Sequence, residues 1–279
     1  MNKLIRAGIK RMFRLKTIYI CLAVLFFIGG FDIIKEFLFR EPGKSLPGPE
    51  GYLVSGFLAM VLLSAVLITS FLGSEHQYGT LRNKISVGYD RFSIYFSNFL
   101  VCYAAVLIMY VFVWLQTTLL GNLMLGGYKS SNKVLISLMI LSFLAFTALT
   151  ALFVMMGLCI HSKSVGSVAA VIAAFVIMLC AVGTVQLLSI PQYLPVEEIA
   201  EMELPGYERV PGDPAMVINP DYVGGSRRNT IEIVHDLNPM SQLLMVPEDA
   251  DAKNIIIPAA ELVILLAAGM IIFKKRDLK

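Results

Sequence analysis

The chain has 279 residues, 57% of them hydrophobic and only 15% charged, with a net charge of +3 and a mean hydropathy of +0.74. So little polar surface cannot cover a water-soluble core of this size, which excludes an ordinary soluble domain and points to lipid as the solvent. The basic residues gather at the ends of apolar runs, where anionic headgroups account for them, so no nucleic-acid partner is expected.

In chain order, the first sixteen residues, MNKLIRAGIKRMFRLK, read as an amphipathic helix lying in the membrane interface. Ile5, Ile9, Met12 and Phe13 form one stripe, and Lys3, Arg6, Lys10 and Arg14 face away from it. The run Thr17–Phe31 follows. Its continuation FIGGFDIIKEF offers no small-x-small cleavage site, so it is expected to stay as the first span. Tyr52–Leu72, Phe92–Leu120, Val134–Ile160 and Val165–Ile190 contain no charged residue, and Ile255–Phe273 contains one, Glu261. Each of these five exceeds the ~18 residues that indicate a transmembrane helix. The fold expected is an all-α integral membrane protein: an interfacial helix (1–16), spans one to five within 17–190, an outer segment (191–254) and a sixth span with its tail (255–279).

Lys3, Arg6, Lys10, Arg11, Arg14 and Lys16 at one terminus, and Lys274, Lys275, Arg276 and Lys279 at the other, place both termini in the cytoplasm by the positive-inside rule. Residues 73–91 and 161–164 then lie inside, and 32–50, 121–133 and 191–254 outside. Lys35, Arg40 and Lys44 in the first outer loop run against this assignment, balanced by four acids. Gln192–Lys253 carries twelve Asp and Glu against four Lys and Arg, a local balance of −8. Eight prolines between 191 and 247 forbid one long helix there. PVEEIAEM is expected to form a short helix, and LNPMSQLLMV to fold back against the protein.

The residues give little support to an enzyme. HExxH and GxSxG motifs are missing. The Glu197–Glu198 pair lies in the outer segment without a protease-type partner histidine, and His76, His161 and His235 fall in three different loops. GNLMLGGYKS, at 121–130, has Gly127 where a phosphate loop needs lysine. The chain is therefore not expected to bind ATP itself, nor to hold a metal. Cys21, Cys102, Cys159 and Cys180 all fall within apolar runs and read as free core thiols. Glu261 is the one ionisable residue well inside a span, and such residues mark substrate pathways or interhelical pairs.

The most informative stretch is SEHQYGTLRNKISVGYDRF, between spans two and three. Ser74 and Gln77 have capping-box spacing, which predicts a helix over 74–86. Leu81, Ile85, Gly88 and Phe92 share one face, Gly88 permits a turn, and Asp90 is a candidate N-cap for the third span. This segment resembles the cytoplasmic loop of ABC-2 type transporter permeases, in which a Glu, then Gly-Thr-Leu-Arg, then a Gly and an Arg recur. Here these are Glu75, Gly79, Thr80, Leu81, Arg82, Gly88 and Arg91. The ending FKKRDLK is similar to the family's basic terminus through Arg276, Asp277 and Leu278. The long acidic outer segment departs from the pattern, since many relatives are shorter there.

The resemblance implies the membrane subunit of an ATP-driven exporter in a bacterial plasma membrane. Two copies, or two paralogues, would sit on cytoplasmic ABC ATPase subunits that hold the ATP and Mg, with no cofactor in this chain. Residues 74–86 would form the coupling helix, with Leu81 and Ile85 anchored in the ATPase and Glu75 and Arg82 setting register. Gly79, Thr80 and Arg91 would belong to the same coupling segment. Cargo would cross by alternating access. Relatives move peptides, antibiotics, lipids or polysaccharides, and the acidic outer segment would suit a cationic peptide. Two other readings stand beside this one: a non-transporting sensor or assembly scaffold, and a secondary carrier working through Glu261.

Overall fold

The computed structural model describes residues 1–39, 48–196, 209–210, 213–244 and 252–275. Arg40, Lys44, Glu197, Glu198, most of PVEEIAEM, and Arg276, Asp277 and Leu278 of the basic ending lie outside the described residues. Among those described, six helices are long and apolar enough to cross a membrane. They are α2 (Lys16–Leu38), α3 (Glu50–Gln77), α5 (Arg91–Met124), α6 (Asn132–Cys159), α7 (Lys163–Ser189) and α10 (Ala252–Lys275). The chain is by these a multi-pass helical membrane protein. Helices satisfy every backbone group internally, as a lipid solvent requires. Between and beside them lie α1 (Asn2–Met12), α4 (Thr80–Ser86), α8 (Gly225–Asp236) and α9 (Ser241–Leu244).

α3 and α6 form the centre of the bundle. α3 packs against α2, α5, α6 and α7, and α10 packs chiefly on α6. α7 reaches α3 through a stripe of small residues. Gly166, Ala170, Ala174 and Ala181 are its buried positions, and small side chains let helix backbones approach where no hydrophobic force separates helix from lipid. Phe57, Tyr110 and Phe146 interlock beneath them with ring centroids 5.4–6.2 Å apart.

One end of the bundle gathers α1, the α3–α5 connection, the α6–α7 turn and the end of α10. There Arg11 bonds Glu75, the rings of His76 and His161 stand 5.3 Å apart, and Arg91 donates to the carbonyls of Phe273 and Lys274 at 3.2 and 2.9 Å. His76 and His161 therefore meet, although their loops are 85 residues apart in the chain, while His235 sits on α8. At the opposite end Glu50 accepts hydrogen bonds from the Ser130 amide (2.8 Å) and hydroxyl (2.7 Å).

Two features differ from the sequence expectation. The fold is not purely helical, because the segment after α7 contains a small antiparallel sheet in the order β1–β3–β2. Its strands are β1 (Tyr193–Pro195), β2 (Arg209–Val210) and β3 (Asp213–Ile218). Tyr193 pairs with Ile218 and Leu194 with Val217, so the prolines that exclude a long helix here mark the ends of short strands instead. The packing face of α1 also differs in part from the stripe of Ile5, Ile9, Met12 and Phe13: Leu4, Gly8 and Met12 are its buried residues, and α1 packs on α5, while Ile5 and Ile9 are half-buried and Phe13 is exposed. The apolar positions of α1 are divided between protein and surroundings, a split that periodicity alone does not show.

LNPMSQLL folds back as expected. Met240, Ser241 and Leu243 are buried. Asn238 donates from Nδ2 to the Ile177 carbonyl at 2.9 Å, and the Ser241 and Thr184 hydroxyls meet at 3.1 Å.

Candidate functional site

The segment 74–91 is built residue by residue from its own sequence. Ser74 does not start a new helix, because α3 continues to Gln77 and the Ser74 hydroxyl bonds back to the Phe71 carbonyl at 2.6 Å. The break comes at Gly79, whose φ of +64° lies in the left-handed region, where a side chain would be disfavoured by about 1–2 kcal/mol. The Gly79 amide then bonds the His76 carbonyl at 3.1 Å, and the Thr80 hydroxyl donates to the Glu75 carbonyl at 3.0 Å. Together they satisfy carbonyls that the end of α3 would leave open.

α4 thus covers Thr80–Ser86 rather than 74–86. It ends in a Schellman motif: Gly88 (φ +93°) donates to Ile85 and Tyr89 to Lys84, at 2.9 and 3.2 Å. Asp90 caps α5 as expected, accepting from the Ser93 amide at 2.9 Å. Hydrogen bonds from Ser93, its side chain first and then its amide, hold the Asp90 carboxyl below the usual carboxylate range. Arg91, the first residue of α5, places its guanidinium on the last carbonyls of α10, where the helix dipole favours a cation.

Glu75 is the centre of this end of the molecule. Its side chain is 1% exposed and takes two cations, Arg11 of α1 on Oε1 and Lys84 of α4 on Oε2, the latter at 2.7 Å. Lys84 also donates to Asn98 Oδ1 of α5 at 3.2 Å. One buried carboxylate therefore ties α1, the end of α3, α4 and, through Lys84, the start of α5 into one unit. Burial holds the Lys84 ammonium below its ordinary value, with the Glu75 carboxylate acting against it.

The faces of α4 follow from this. Leu81 is 2% exposed and joins the main core, and Ile85 is half-buried beside it. Neither side chain is presented as an anchor for a separate protein, which corrects the outward role expected of Leu81. Glu75 likewise points inward, so it sets the register of α4 on its own chain. What faces away from the bundle is Gln77, Tyr78, Arg82, Asn83, Ser86 and Val87, with Tyr78 and Val87 three-quarters exposed. Tyr78, Val87 and Lys84 are the residues missed by sequence reasoning. Lys84 could have been found from its spacing: it lies three residues after Leu81 and one before Ile85, at the margin of the buried face.

Glu261 lies apart from this cluster. It lines a cavity of about 600 Å³ between α6, α7, α8 and α10.

No known family model and no curated protein matches the chain. The six apolar helices and the internally locked α4 therefore define its class as a multi-pass helical membrane protein.

Proposed function

We propose that the chain is the permease subunit of an ATP-driven exporter of the ABC-2 type, with α4 as the element that receives the ATPase. The observation that carries this reading is the division of α4 into two faces. Its inward side is fixed by Leu81 and by the Glu75–Lys84 pair, while its outward side presents Arg82, Asn83 and Ser86, with the exposed Tyr78 and Val87 flanking the helix at its two ends. Exposed aromatic and Arg side chains are the residue types that concentrate binding energy at protein interfaces. A helix locked to α1, α3 and α5 moves only with them, so a push on its outer face is passed to the spans as a rigid shift.

In this reading residues 73–91 and both termini are cytoplasmic and the membrane is the bacterial plasma membrane. ATP and Mg belong to the partner, and a second permease copy or paralogue completes the transporter. ATP-driven closure of the ATPases stabilises one of two cavity states, giving alternating access.

A photoreactive phenylalanine analogue at Tyr78 tests the reading. Irradiated native membranes are expected to yield an adduct with a soluble nucleotide-binding subunit. Adducts only with lipid, or with proteins that bind no nucleotide, would contradict it.

A further inference from the structure

The cavity beside Glu261 has walls made almost wholly of aliphatic side chains from α6, α7, α8 and α10, including Leu149, Ile177 and Leu265. Into it goes one carboxylate. Both Glu261 oxygens are shielded from solvent, and among the described residues neither has a hydrogen-bond partner. The other polar side chain of the lining, Asn238, is already committed: Nδ2 donates to the Ile177 carbonyl, and Oδ1 accepts from the Met240 amide at 3.0 Å.

A buried carboxylate without a partner is costly, and intramembrane acids are kept where they serve a function. Water is a poor filler, since a buried water needs two to four polar partners and the walls offer few: Glu261 itself, the Cys180 thiol and the already committed Asn238. A positive charge would supply the partner that the ionised side chain lacks, and what surrounds that charge must be apolar. The volume falls within the ~300–1,000 Å³ typical of sites for drug-sized molecules.

We propose that this cavity binds a lipophilic monocation, a bulky apolar body carrying a single positive charge that pairs with Glu261. α8 and the turn after it border the site through Val234 and Leu237, and Asn238 pins that turn to α7. As a ligand site this rests on the cavity alone; as the place where cargo is held, it rests on the exporter reading above.

The test uses the purified full-length chain in nanodiscs of neutral lipid, without nucleotide or partner, so its failure leaves the role of α4 untouched. Tetraphenylphosphonium and tetraphenylborate have nearly the same shape and opposite charge. The cation is expected to bind saturably and the anion not to. Glu261→Gln is expected to weaken the cation by about tenfold or more. Leu265→Trp narrows the cavity but keeps the carboxylate, and is expected to weaken cation binding, which covers the case of a misfolded Gln variant. Equal binding of the two ions would overturn the proposal. So would unchanged cation affinity in a folded Glu261→Gln variant, or in a folded Leu265→Trp variant.

Discussion

Glu75→Ala is expected to destabilise the protein by about 3–5 kcal/mol, the range for removing one partner of a buried ion pair. The loss falls on Lys84. Its side chain is only 12% exposed, and without Glu75 it keeps a buried ammonium with Asn98 as its sole remaining acceptor among the described residues. Arg11 contributes less, because it is more than a third exposed and can turn to water. α1 and α4 should both loosen, and the exposed Arg82 should become a fast tryptic site. Replacing both charges, Glu75→Met with Lys84→Met, is expected to recover most of the stability, since apolar packing often equals a buried pair. Thermal unfolding with timed trypsin digestion measures both effects. A Glu75→Ala variant as stable and as protease-resistant as the parent would show that the network does not hold α4.

The second large effect separates the two faces of α4. Leu81→Asp removes a core side chain, a change that for truncation alone costs about 2–5 kcal/mol. It also places a carboxylate in the apolar core that Leu81 joins, so α4 is expected to detach from the bundle. Val87→Asp lies at a position 76% exposed, where substitutions usually stay within about 0.5 kcal/mol, and α4 should remain in place. Under the proposed function both variants lose the ATPase, but only Leu81→Asp loses protease resistance at Arg82. A folded, fully resistant Leu81→Asp variant would mean that Leu81 is not a core residue. A Val87→Asp variant that keeps its partner would place docking elsewhere.

The spans were legible because apolarity over twenty residues has one cheap explanation in water-free surroundings, and their helices extend past the apolar runs into polar flanks, as α3 does from Glu50 to Gln77. Local signals at chain breaks were also readable: Asp90 as an N-cap and Gly88 as a turn both follow from backbone chemistry within four residues. Ser74 with Gln77 misled for the same reason. The capping-box spacing is present, but α3 simply continues through it, and the true break is set by Gly79.

What could not be read were pairings across the chain. Nothing local tells that Arg11 meets Glu75, 64 residues away, or that the stripe of Leu81 and Ile85 turns toward its own core. Periodicity identifies an apolar face without saying what covers it. The sheet escaped notice because its strands are two to six residues long and lie among prolines. Glu261 was visible as a charge in a span, but the apolar cavity that leaves it unpaired is a property of four helices together.

The central claim is that the outer face of α4 receives an ATPase. The direct measurement is to tag the C-terminus, extract native membranes in mild detergent, and identify what co-purifies with the parent, Arg82→Glu and Val87→Asp chains. The account predicts a soluble subunit with a Walker A loop on the parent, lost from both variants while each stays monodisperse and protease-resistant. The parent chain emerging without any nucleotide-binding subunit, or both variants retaining it, would contradict the account and favour a non-transporting scaffold.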